Sequence, residues 1–501
     1  MTAVAARPAA PGYRYYVLAI LILVYMLNFL DRQIIGILAV PLKAEFGLSD
    51  TRFGLLGGIA FASVYTTLAI PLAWLADRFS RVWIMSIALA VWSGFTALCG
   101  VAGSFSQLFL ARMGVGVGEA GGSPPAYSLI ADYFPKEQRA RALAVYSFGI
   151  PMGTAAGTLV GGVLAAQYGW RTAFIVVGLL GVAVAPLLRM TVRDPIRGGM
   201  DVRAAPEPAP APAPETVPAP RVASKGARQL VILMALLAAA GGALGLALKV
   251  EGVLLAGLCV AGAGMGLFAQ SMIASKDVVG ALGAKPSFWF LALGAAASSV
   301  CNYGVAGWLP TFFMRSFDLT LLQTSWYYSG IALVGGVAGI WMGGVLADRL
   351  GKVSRGAYPL IPAIAFLISA PCFVLAMNAA WLIDQIIPGG GSQAQALILA
   401  FIIFLIPTGL NLSWAGPILA AVQHLVGPSM RTMASALFLL VNNLLGIAVG
   451  FYYFGWMSDL LAPRFGEESL RWAIYTGMGF YVLASVLLLA ASRTLKRDWV
   501  D

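Results

Sequence analysis

Charge is scarce in this sequence. Only 11% of its 501 residues are Asp, Glu, Lys or Arg, less than half the roughly 25% of an ordinary soluble domain. Histidine is nearly absent: His424 stands alone, near the end of an apolar run, where a surface-adjacent residue fits better than a pH sensor. The four cysteines, Cys99, Cys259, Cys301 and Cys372, are far apart and each sits in an apolar run. That excludes a disulfide framework and a metal-ligand spacing, and leaves buried free thiols. No Walker-type phosphate loop and no catalytic triad are present, which argues against nucleotide-driven pumping and against an enzyme. No cofactor and no metal are expected; an ion gradient has to supply the energy.

What is there is apolar. Hydrophobic residues make up 60% of the chain and fall in continuous runs of the ~20 residues needed to cross a bilayer. Continuous rather than alternating runs exclude a transmembrane barrel, so the fold class is an all-α polytopic membrane protein. The net charge of +11 suits a positive-inside loop bias, and no nucleic-acid partner is expected. The 58 glycines lie mostly within the runs, where small residues let helices approach closely.

The spacing predicts spans near 13–41, 51–77, 82–104, 107–134, 139–168 and 170–191, forming an N-terminal six-helix half over residues 13–193. The first run is too long for a signal-peptide core and reads as helix 1. Residues 194–228 contain a Pro/Ala tract that cannot pack a core and read as an extended cytoplasmic linker. An inserted hairpin over 229–275 comes next, predicted to pack peripherally and to carry no substrate residues. Spans near 286–315, 320–349, 357–379, 393–424, 428–460 and 470–493 then build a C-terminal half over 286–493, for fourteen helices in all. The Lys and Arg distribution places both termini in the cytoplasm. The halves repeat: Leu75-Ala76-Asp77-Arg78 recurs as Leu346-Ala347-Asp348-Arg349, and Asp31 aligns with Asn302. Two six-helix halves with an internal repeat are the layout of secondary transporters, whose sites lie between the repeats near the midplane.

Four charges lie well inside spans: Asp31, Arg32, Arg112 and Glu119. At 1.5 Å per residue Asp31 is about 15 Å, and Glu119 about 18 Å, from the outer ends of their helices, so the two carboxylates reach similar depth. A buried carboxylate between proton and arginine is a workable coupling device; the alternative is an ion-pair network that only fixes packing. Intramembrane ionisable groups are functional by default, which favours coupling. The loops Asp77-Arg78-Phe79-Ser80-Arg81 and Asp348-Arg349-Leu350-Gly351-Lys352 occupy equivalent places in the two halves. Their charged residues (Asp77, Arg78, Arg81, Asp348, Arg349, Lys352) read as a conformational latch. Glycines at 149, 153, 157 and 161 form a helix-packing groove on helix 5, a hinge or seal between the halves or plain tight packing. The second half has no charge deep in a span. Its polar candidates for substrate contact are Asn302, Tyr303, Asn411, Trp414, Asn442 and Asn443, against the plainer reading of core or interfacial residues.

These segments resemble the major facilitator superfamily, through the paired Asp-Arg loops and Arg112-Met-Gly-Val-Gly116. The resemblance is closer to its Spinster branch, through Asn28-Phe-Leu-Asp31-Arg32, Gly118-Glu119-Ala120, Ala131-Asp132-Tyr133-Phe134-Pro135, Gly169-Trp170-Arg171 and Trp308-Leu-Pro310-Thr311-Phe312. It covers both six-helix halves and not residues 194–285. It implies a major facilitator fold and alternating access, with protonation at Asp31 and Glu119 and with Arg32 and Arg112 as their partners. Animal Spinster proteins move lysophospholipids and sphingosine-1-phosphate, which implies an amphiphilic or anionic lipid-like solute. Thr158 stands where the family's antiporter motif has proline. The expected protein is a proton-coupled transporter, a monomer in the inner membrane, whose partners are a small-molecule substrate and the bilayer. A small-anion carrier or uniporter binding its solute on Arg32 and Arg112 is the first alternative, and a non-transporting receptor or scaffold the second.

Overall fold

The computed structural model describes residues 12–197, 224–247, 276–350, 354–387, 391–427 and 430–500. Most of the linker, hairpin residues 248–275 with Cys259, and Lys352 lie outside them, as do the side chains of Asp77, Asp348 and Arg349. Among the described residues every regular element is helical. Nine stretches of the described residues are long and apolar enough to cross a membrane, one of which, Met433–Asp498, turns back on itself at Gly466–Glu468.

In chain order the helices are α1 (Tyr13–Ile37), α2 (Ala39–Phe46), α3 (Asp50–Gly54), α4 (Ala60–Arg78), α5 (Arg81–Cys99), α6 (Phe105–Glu119), α7 (Ser123–Tyr133), α8 (Lys136–Ser147), α9 (Gly149–Tyr168) and α10 (Trp170–Thr191). They continue as α11 (Ser224–Ala247), α12 (Lys276–Gly283), α13 (Pro286–Ser316), α14 (Leu321–Leu350), α15 (Ala357–Met377), α16 (Ala379–Ile386), α17 (Gln393–Leu410), α18 (Ala415–Gln423), α19 (Arg431–Asn443), α20 (Gly450–Phe465) and α21 (Ser469–Asp498). Helix α11 starts within the expected linker, at Ser224, and holds the described residues of the inserted hairpin; its Leu236 and Ile232 are exposed.

Several spans that read as continuous in sequence are broken. The fourth ends α6 at Glu119 and restarts as α7 at Ser123. Gly121 and Gly122 disfavour helix, and the prolines at 124 and 125 lack the N–H that a continuing helix needs but suit a first turn. The tenth breaks in the same place, between Leu410 and Ala415. The second and eleventh each contain a wider π-helical turn, Leu55–Ile59 and Leu444–Val449, and these two turns pack on each other. Such turns interrupt the regular ladder and gather at functional places.

Within the first half α5 lies between α6 and α10, and α1 lies along α9; in the second, α21 packs on both α13 and α15. Between the halves α9 meets α14, α1 meets α13, and α3 with its π-turn meets α20. Glycine sets the closeness of these contacts. A Cβ at Gly36 would fall 2.8 Å from the Gly307 carbonyl oxygen, and one at Gly157 2.6 Å from that of Leu30. The α9 stripe of Gly149, Gly153, Gly157 and Gly161 thus faces α1 of its own half, while Pro151 of the same helix meets Gly336 of α14.

Candidate functional site

Helix α1 runs from a Tyr13 end to an Asp50 end of the bundle. In its last two turns Asp31 and Arg32, adjacent in sequence, point in different directions. Arg32 Nε donates to Glu119 Oε2 of α6 at 2.7 Å. Its guanidinium carbon lies 5.2 Å from the Phe29 ring centre, 5.0 Å from Phe61 and 4.5 Å from Tyr65. Ring faces attract a cation, more strongly where water is excluded. The arginine keeps 13% of its side chain accessible and the Glu119 side chain none. Asp31, 2% exposed, lies with Trp92 and Thr96 of α5 and Arg112 of α6 beside it. Arg112 Nη1 donates to the Asp31 backbone oxygen at 3.3 Å. All four intramembrane charges therefore form one group, and neither acid lies on the outer perimeter.

This group backs onto a cavity between the halves of about 820 Å³ including its mouth. Arg32, Gln33, Arg112, Thr154, Asn302, Tyr303 and Thr408 supply its polar lining; Phe29, Phe61, Ile150, Pro151, Ile447 and Phe451 supply much of the rest. Asp31 and Glu119 sit behind their arginines and do not line it.

The polar candidates of the second half divide. Asn302 and Tyr303 line the cavity. The other four sequence candidates do not. Asn442 is buried and accepts a hydrogen bond from Ser299 at 2.8 Å, and it donates to Asn443 at 3.2 Å. Asn411 is buried inside the half next to Tyr481, where α17 ends, and Trp414 packs edge-on against Phe438. A mid-span position in sequence does not say which way a side chain points, and here these four point into helix packing.

At the Asp50 end the halves are bolted together by residues that sequence reading passed over. Arg315, at the end of α13, donates Nη1 and Nη2 to the two oxygens of Asp50 at 3.0 and 2.9 Å. Ser458 of α20 donates to Asp50 at 2.7 Å, and Lys43 pairs with it as well. Asp459 accepts the backbone N–H groups of Asp50 and Thr51 at 3.1 and 2.7 Å, capping α3 from across the interface. Nearer the middle, Gln33 donates to the Ala306 carbonyl at 2.8 Å. The signal was the Ser49-Asp50 pair opening α3, which reads as an ordinary N-cap.

At the Tyr13 end the first latch loop is fixed by Arg81, which is fully buried. It pairs with Asp132 of α7 and with Asp194 (Nε to Oδ1 2.9 Å), and donates to Ser128 Oγ at 2.8 Å and to the Pro195 carbonyl at 2.9 Å. Arg78 is exposed. His424 is half-buried and stacks on Trp499 at 4.2 Å.

Two repeated helical bundles meeting at a central cavity, with buried charges behind it, define a membrane transporter. Residues 21–451 match the Major Facilitator Superfamily; the chain belongs to that family and is Spinster-like within it. It is 28% identical over 494 residues, 98% of this chain and 95% of the relative, to an MFS-type efflux pump of Mycolicibacterium smegmatis. It is also 28% identical over 470 residues, 90% of this chain and 74% of the relative, to protein spinster homolog 1 of Homo sapiens. The crystal structure of a bacterial homolog to the human lysosomal transporter Spinster, inward-facing and unoccupied, matches with a TM-score of 0.72 at 26% identity, over 98% of this chain and 100% of that one.

Proposed function

We propose that this transporter is proton-coupled and carries an amphiphile with an anionic head, lysophospholipid-like or sphingolipid-like, by alternating access. The observation that carries the reading is the place of Arg32. It is the partly accessible member of the charge group, it is ion-paired to buried Glu119, and it reaches the cavity beside apolar rings. An anionic head on Arg32 competes with Glu119 for the guanidinium. A carboxylate that loses its arginine in a dry site favours its protonated form, so head-group binding and proton uptake reinforce one another. Phe29, Phe61, Ile447 and Phe451 offer the apolar wall that an acyl chain needs. The efflux-pump and Spinster relatives support the transport of an organic solute. With both termini in the cytoplasm the bolted Asp50 end faces outward, and the protein is an inner-membrane monomer.

The test is stabilisation of the purified protein by lysophosphatidylglycerol, sphingosine-1-phosphate or citrate, with Arg32→Lys alongside. The expectation is a raised melting temperature with the lipids and a weakened response in Arg32→Lys, because lysine lacks the planar fork that grips phosphate. Stabilisation by citrate alone supports the small-anion carrier instead. No response to any of the three, with no flux in vesicles, supports a receptor or scaffold.

A further inference from the structure

Behind the cavity, α5 carries a polar stripe for which the site described above has no use. Trp92 and Thr96 are four residues apart, one helical turn, and so share a face; both are fully buried. That face meets Asp31. Cys99, further along the same helix, has Arg112 and Asp31 as its charged neighbours. The approach is built in by Gly118 of α6, where a Cβ would lie 2.7 Å from Trp92 Cβ and 2.8 Å from the Ala88 carbonyl oxygen.

Trp92 Nε1, Thr96 Oγ1, Arg112 Nε and Asp31 Oδ1 are each buried without a hydrogen-bond partner at bonding geometry. The chemistry of the set is one-sided. Indole and guanidinium nitrogens only donate, the hydroxyl does either, and an ionised carboxylate only accepts. Three groups able to donate thus lie unpaired near one unpaired acceptor, in a place where an unmade hydrogen bond is costly. N–H donors and a fixed positive charge suit a carboxylate that exchanges a proton; a metal cation would be repelled by Arg112.

We propose that Trp92 and Thr96 are positioning residues of Asp31: they hold its ionised form from behind and set the pH at which it takes up a proton. This rests on the proton-coupled reading above. The labour is divided between the two acids, with Glu119 answering to the cavity through Arg32 and Asp31 answering to α5. The charged groups facing Asp31 are Arg112 and Glu119 of α6, and Glu119 in turn faces Arg32 and Arg112.

The experiment is an infrared titration of the full-length protein in lipid vesicles, following the protonated-carboxyl band that is missing in Asp31→Asn. It needs no ligand. A donor that can turn to the ionised carboxylate favours that form, so taking the donor away moves the midpoint to higher pH. A rise of about half a unit or more is expected in Trp92→Phe and in Thr96→Val, both close in shape to the native residue, and a wild-type midpoint in Thr96→Ser. Should one variant fail to fold, the other carries the test. Unchanged midpoints in folded variants overturn the positioning role while leaving proton coupling intact. A spectrum in which Asp31→Asn removes no titrating band overturns Asp31 as a proton site and the proposal with it; one in which Glu119→Gln removes none either overturns the proton-coupled reading itself.

Discussion

Arg315 grips Asp50 through two parallel hydrogen bonds of 3.0 and 2.9 Å, one to each carboxylate oxygen, across the interface between the halves. Bidentate pairs are the strong class of ion pair. The Asp50 side chain is 5% exposed and that of Arg315 20%. In any alternating-access cycle this end must open, so the pair is a term in the equilibrium between states. Removing one partner of a buried pair costs roughly 3–5 kcal/mol. Asp50→Asn is therefore expected to shift the population towards opening at this end. A cysteine placed at Thr51 should then react faster with a membrane-impermeant thiol reagent than in the Asp50-intact protein.

Asp459 caps α3 with two charge-assisted hydrogen bonds to backbone N–H groups. A lost helix cap costs about 0.5–2 kcal/mol. Asp459→Asn keeps one acceptor oxygen and should give a smaller rise in that labelling rate than Asp50→Asn, whereas Asp459→Ala should exceed Asp459→Asn. The ordering of the rates is the readout.

Arg81 satisfies two carboxylates and a carbonyl at once. Arg81→Ala leaves half-buried Asp132 and exposed Asp194 without their guanidinium; water reaches both, so a loss of about 1–3 kcal/mol follows, the size of lost hydrogen bonds to charged groups. Arg81→Lys should recover only part of it, because one ammonium cannot reproduce the fork. Melting temperatures of the purified variants check both.

Gly157 lies against the backbone of α1, with a Cβ there meeting the Leu30 oxygen at 2.6 Å and its Cα at 2.9 Å. Backbone cannot rotate out of the way. Gly157→Val should cost about 1–3 kcal/mol by overpacking and displace Asp31 and Arg32, carried just beyond Leu30. Lower stability together with lost transport is expected.

Outside the spans, Glu45 accepts hydrogen bonds from Arg171 Nη1 at 2.8 Å and from Trp170 Nε1 at 2.6 Å. The Arg171 hydrogen bond foremost, and then that of Trp170, hold the Glu45 carboxyl below its ordinary value of 4.5. A depressed carboxyl contributes stability above its unfolded value and loses it as the pH falls through the folded one. Glu45→Gln should lower the melting temperature slightly at pH 7, and the difference should fade as the pH falls through the depressed value of the folded state. The effect is small because both partners are exposed and water screens them.

The architecture was legible because membrane insertion writes it in runs of apolar residues and in loop charge, both of which survive without tertiary knowledge. The paired loops at Asp77 and Asp348 and the four intramembrane charges stood out for the same reason: each departs from its surroundings. What stayed hidden depends on direction. Asn302 and Asn442 look alike in sequence, yet one lines the cavity and the other bonds Ser299 inside the helix packing. Phe29, Phe61 and Tyr65 look like any aromatic in a span until they surround Arg32. Asp50 and Arg315 sit at span ends, where charge is ordinary, and only the fold brings them together. The break after Glu119 could have been read from Gly121-Gly122-Ser123-Pro124-Pro125, a run that opposes an uninterrupted helix.

The central claim is that hydrogen ions move with the solute through Asp31 and Glu119. Its most direct test is proton movement on adding lysophosphatidylglycerol to proteoliposomes loaded with a pH-sensitive dye, with wild type beside Asp31→Asn and Glu119→Gln. The account predicts a pH change for wild type and none for either folded variant, while lipid binding persists. A wild-type pH change in the double variant would contradict it.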